Sequence, residues 1–185
     1  MIINACCSRD IFPPRLEGYS QEEKELRTQK TIALVAHDHR KKDLVEWVEW
    51  NYQKLYTQRL VCTGTTGKLV ERALRNRLKA DGMDPETLLE IEKLKSGPLG
   101  GDQQLGAYIA DGKIDIMIFL WDPMEPHPHD VDVKALLRIA VLYNIPNACN
   151  RSSADFLISS SLMEERYVPV VKNYEEYVER EPIQA

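Results

Sequence analysis

Along the chain, short apolar runs alternate with stretches whose apolar residues recur every three or four positions. TIALVA at 31–36 is followed by polar HDHRKK and then by DLVEWVEWNYQKLY, where positions 44, 45, 47, 48, 52, 55 and 56 form a helical stripe. The same succession returns in RLVCT, the TGTTG turn and KLVERALRNRL, and again in KIDIMIFLW, DPMEPHPHD and VDVKALLRIAVLY. NIPNACN offers a last buried strand before SSADFLISS. Runs that are apolar throughout read as strands covered on both faces, and strands alternating with helices join by right-handed crossovers. The pattern therefore predicts a three-layer α/β/α sandwich with a mostly parallel sheet.

Three segments stand apart from this rhythm. Residues 1–29, with Pro13-Pro14, Gly18 and QEEKELRTQK, show no clear apolar period and predict an N-terminal extension, an irregular arm with a short solvated helix, ahead of a domain over 30–185. The charged stretch NRLKADGMDPETLLEIEKLK at 76–95 predicts two surface helical pieces around the DGMDP turn rather than a strand. KNYEEYVERE near the C-terminus predicts a closing helix.

At 185 residues and 43% hydrophobic content, one core is expected. The net charge is −5 and no block of five like charges occurs, which argues against nucleic acid as a partner. The cysteines at 6, 7, 62 and 149 have no CxxC spacing, so neither a disulfide framework nor a zinc knuckle is predicted, and reduced thiols in a cytoplasm fit best. IMIFLW at 116–121 is far short of the roughly 20 residues of a membrane span, and the expectation is no membrane association.

Loops after parallel strands leave from one edge of the sheet, where ligands bind. Four polar clusters follow the apparent strands: HDHRK at 37–41, TGTTG at 63–67, SGPLGGDQQ at 96–104 and WDPMEPHPHDVD at 121–132. TGTTG before a helix presents backbone N–H groups and hydroxyls to an anion, or is an ordinary capped turn. Neither GxxxxGK[ST] nor GxGxxG is present, which favours a small phosphate ester over ATP or NAD. All four histidines lie in His-x-His pairs, His37 with His39 and His127 with His129. In an extended segment such pairs point one way, as two metal ligands would, but prolines interrupt the second pair and neutral hydrogen-bonding imidazoles are the preferred reading. Asp122 before Pro123 suits a turn, and Asp130 or Asp132 suits a helix cap. Asp102, among glycines and with little competing charge, is placed as a general base. Base, imidazole donors and phosphate cradle together describe proton abstraction next to a carbonyl.

LVAHDH, TGTTG, SGPLGGDQQ, IFLWDP and PHDVDVKALLR, in this order, resemble the methylglyoxal synthase family from about Thr31 to the C-terminal segment. The resemblance implies a cytoplasmic lyase of a glycolytic bypass that converts dihydroxyacetone phosphate to methylglyoxal and inorganic phosphate. It implies no metal and no organic cofactor, a homohexamer, and allosteric inhibition by phosphate. By matched position, Asp102 is the catalytic carboxylate, while His37 and His129 contact the substrate oxygens. Lys41, Thr63, Gly64, Thr65, Thr66, Ser96 and Gly97 form the phosphate-binding set, and Asp122 and Asp132 are supporting acids. The rival readings are a non-catalytic phosphate-ester-binding regulatory module of the same fold and a metal-dependent hydrolase built on the His-x-His pairs.

Overall fold

β1 (Thr31–Ala36) is buried along its whole length because it runs down the middle of a sheet covered on both faces. The structure, a computed structural model, describes residues 29–125, 130–167 and 169–171. The sheet is completed by β2 (Arg59–Cys62), β3 (Glu90–Lys93), β4 (Ile116–Leu120) and β5 (Asn147–Ala148), in the order β3-β2-β1-β4-β5, with every pairing parallel. Seven helices accompany it among the described residues: α1 (Lys41–Trp50), α2 (Tyr52–Leu55), α3 (Gly64–Ala80), α4 (Pro85–Leu88), α5 (Gly101–Ala110), α6 (Asp130–Leu142) and α7 (Arg151–Ser159).

Side chains alternate across each strand, so β1 feeds two cores. Ile32, Leu34 and Ala36 join Leu60, Ile118 and the apolar stripes of α1, α2, α3 and α7 on one face. Ala33 and Val35 join Val61, Met117, Phe119 and the stripes of α5 and α6 on the other. The first crossovers move outward from β1 to β3 with their helices on the first face. The chain then returns to the opposite side of β1, and its next crossovers lie on the second face. Keeping every crossover right-handed requires that change of face. The direction of winding therefore reverses between β1 and β4, and a cleft opens at their carboxyl ends.

The 76–95 segment differs from the sequence expectation. α3 continues to Ala80 and ends in a Schellman turn, with Gly82 at φ +73°, Met83 N–H on Leu78 O (2.9 Å) and Gly82 N–H on Lys79 O (3.0 Å). Asp84 caps α4 through the Glu86 N–H. The residues after it, Glu90–Lys93, then form the edge strand β3, paired with β2 only. Ile91 packs on the first core, Glu90 and Lys93 are exposed and Glu92 is half-buried, and such charge along a sheet edge keeps it from pairing with other chains. Residues 1–28 of the predicted extension and the closing helix expected over 172–181 lie outside the described residues.

Candidate active site

The cradle is built where β2 ends. Thr63 occupies the position before α3 in an extended conformation, and it and Thr66 are buried. Gly64 N–H donates to Lys95 O at 3.2 Å, which leaves the Thr65 and Thr66 N–H groups at the open, positive end of a 17-residue helix. From the first residue of α1, Lys41 reaches across to donate to Thr65 Oγ1 at 2.6 Å and pairs with Asp38. A cation, a hydroxyl and helix N–H groups thus converge as an anion requires.

The acid lies one loop away. A Cβ on Gly64 would come 2.9 Å from Ser96 N and 3.0 Å from Ser96 Oγ, so the loops after β2 and β3 touch through this glycine. Asp102, the second residue of α5, is 6% exposed. Its carboxylate lies against Gly97, where an added Cβ would be 3.0 Å from Oδ2. Gly101 is pressed on the same loop, since its Cβ would fall 2.1 Å from Lys95 O, and Gly100 turns the chain at φ +95°. Gly97 and Gly101 admit the close approach and Gly100 the left-handed backbone, which explains the glycines around a single acid.

Across the cleft, His37 extends β1 by one bond, its N–H on Leu120 O at 3.2 Å, and is 7% exposed. Its ring stands edge-on to Phe119 with centroids 5.1 Å apart. Nδ1 accepts the Asp122 N–H at 3.2 Å, so the ring proton belongs on Nε2 and a neutral imidazole remains a donor. Asp122 in turn accepts from Met124 N–H at 3.1 Å, closing the predicted turn, and lies 3.8 Å from Arg40 Nε.

The structure therefore joins Lys41 to Thr65, Gly64 to Ser96, Gly97 to Asp102 and His37 to Asp122. His37 and His39 do not point together, because Asp38–Arg40 is a 3-10 turn and not the extended backbone assumed for the pair. His39 is exposed and sits 3.4 Å from Glu125 Oε1. His39, Asp122 and Glu125 offer ligand atoms within 4.8 Å of one another, but Arg40 already faces the Asp122 carboxylate. Asp132 is half-buried in the first turn of α6, beside Asp130, and makes no hydrogen bond or ion pair to the site among the described residues. His127 and His129 lie outside them. Cys62, one residue before the cradle, is no nucleophile: burial pushes its thiol up to about 12. Sequence reasoning assigned no role to Arg40 or Gln104, whose Oε1 accepts the Lys95 N–H at 2.9 Å.

A family profile described as MGS-like domain matches residues 43–149. A methylglyoxal synthase of Oleidesulfovibrio alaskensis is 53% identical over 155 residues, covering 84% of this chain and 97% of that protein. The methylglyoxal synthase of Hahella chejuensis is 47% identical over 151 residues, 82% of this chain and 90% of its own length. A crystal structure of methylglyoxal synthase from Elizabethkingia anophelis superposes with a TM-score of 0.74 at 48% identity, covering 86% of this chain and 97% of that one.

Proposed function

This chain belongs to the methylglyoxal synthase family and is a lyase acting on dihydroxyacetone phosphate, and on that premise we propose how its residues divide the work. Thr65, Thr66 and Lys41 hold the phosphate, with Thr63, Gly64, Ser96 and Gly97 shaping the cradle. Asp102 removes a proton from the hydroxymethyl carbon. The Nε2–H of His37 polarises the carbonyl oxygen on which charge develops. His129 shares that role; its support is its place in the PHD motif alone. Asp122 keeps His37 in its donor tautomer through its backbone N–H, and Asp132 lies at the start of the helix that follows.

The enediolate so formed carries the phosphate on the adjacent carbon. With the C–O bond held perpendicular to the enediolate plane, its electrons leave with inorganic phosphate and the carbon skeleton becomes the enol of methylglyoxal. Protonation of the terminal methylene then gives the product. The observation that carries this reading is the Asp102 carboxylate, buried against Gly97 one loop away from the Gly64 cradle.

Finer properties complete the proposal: one catalytic domain over 30–185 behind an N-terminal extension, a cytoplasmic homohexamer, and allosteric inhibition by phosphate. A cradle that grips a phosphate ester also takes free phosphate, which supports the inhibition. Trp50 and Phe156, 82% and 83% exposed, are apolar surface that a partner copy would cover. Cys62 and Cys149 are both free, as in a reducing compartment. The test is to dialyse the protein against chelator, supply dihydroxyacetone phosphate, and follow methylglyoxal and phosphate together. Equal release of both is expected. Release lost with the chelator overturns the metal-free mechanism, and no release supports the regulatory module.

A further inference from the structure

The two halves of the site meet at Lys95. Its carbonyl accepts the N–H of Gly64, first residue of the cradle helix α3, at 3.2 Å. Its own N–H donates to Oε1 of Gln104 at 2.9 Å. Gln104 stands on α5 two residues beyond Asp102, and its backbone N–H closes on Gly100 O at 3.1 Å. The start of α5 is also fastened by Gly101 N–H on Ser96 O at 3.0 Å. A continuous line of bonds thus runs from the acid-bearing helix through the Gln104 side chain and the Lys95 peptide to the anion cradle. The side-chain amide is the only member of that line that a substitution can remove without touching the backbone.

We propose that Gln104 is a positioning residue for proton abstraction: by holding the Lys95 N–H it sets the height of α5 over the cradle, and so the reach of Asp102 to the substrate carbon. This rests on the lyase reading above. Gln104 is exposed and contributes nothing to either core, so its loss leaves the packing in place. The Gly64 bond to Lys95 O also survives, which keeps the cradle formed. What changes is the registration of the carboxylate, and a misplacement of about 1 Å can cost about 100-fold in rate.

Two variants of the full chain test it, Gln104→Leu, which has no acceptor, and Gln104→Glu, which keeps an oxygen there. For Gln104→Leu, kcat on dihydroxyacetone phosphate is expected to fall about 10- to 100-fold while inhibition by inorganic phosphate stays within about threefold. Its Tm should match that of the wild type, and Gln104→Glu should recover most of the lost kcat. Unchanged kcat in Gln104→Leu overturns the proposal, as does equal loss in both variants or a joint loss of phosphate binding and Tm. If the wild type itself releases no methylglyoxal, the lyase reading fails and this role fails with it. Activity in the wild type lets Gln104 fail alone.

Discussion

In the proposed reaction Asp102 takes a proton from carbon while buried, and the glycines around it keep it from being walled off by side chains. Asp102→Asn keeps the volume and the helix but cannot accept the proton. The expected result is a kcat lowered by about 10²- to 10⁴-fold, with phosphate inhibition and the far-ultraviolet dichroism spectrum unchanged. Turnover close to normal in steady-state assays would move the base to another residue. The crowding around this acid was legible in the sequence because its neighbourhood violates the usual composition of a turn: Gly97 meets the carboxylate and Gly101 meets Lys95 O, contacts that any Cβ would obstruct. The direction of His37 relative to His39 was not legible, because x-spacing says where side chains point only if the backbone is known, and the 3-10 turn at Asp38–Arg40 sends the two rings apart. Gln104 went unassigned because its partner is a main-chain N–H nine residues earlier, which no side-chain pattern reveals.

Between elements, the edge strand β3 is fastened to the cradle helix by charge. Glu71 on α3 accepts from Lys93 of β3 at 2.6 Å and pairs with Arg75 at 3.2 Å. The Lys93 ammonium is the main reason that the Glu71 carboxyl is held below its ordinary value, against the opposing effect of burial, with Arg75 adding to it. A carboxylate depressed in the folded state stabilises that state above its unfolded pKa, about 4.3 for Glu, and the contribution disappears as pH falls through the lower folded value. Lys93→Met should therefore destabilise the protein near neutrality and flatten its loss of stability in acid. Urea midpoints measured from about pH 6 down to about pH 3 check it, and parallel curves for the two proteins would contradict it. This strand was not legible in the sequence. β1, β2 and β4 announce themselves as apolar runs because both faces are covered, whereas EIEK at 90–93 is four residues long, half exposed and rich in charge, and it becomes a strand only because β2 offers an open edge.

At the scale of the molecule, the reversal of winding between β1 and β4 makes the cleft, and its parts come from segments far apart in the sequence: Lys41 after β1, Thr65 after β2, Asp102 after β3 and Asp122 after β4. An anion bound there touches groups that are together only in the folded chain, so binding must stabilise the fold as a whole. At a phosphate concentration 100 times its dissociation constant the gain is about 2.7 kcal/mol, which for a chain of this size raises Tm by about 5 to 10 °C. Differential scanning calorimetry with sodium phosphate against sodium chloride of equal ionic strength, at one protein concentration, reads this shift. Asp102→Asn should show the same shift as the wild type, because the role proposed for the acid is on carbon and not on the phosphate. Lys41→Met should lose most of it, because Lys41 is the cation hydrogen-bonded to Thr65 at the open end of α3. A shift that survives in Lys41→Met but disappears in Asp102→Asn would reverse the roles of cradle and base, and with them the direction in which the substrate lies across the sheet.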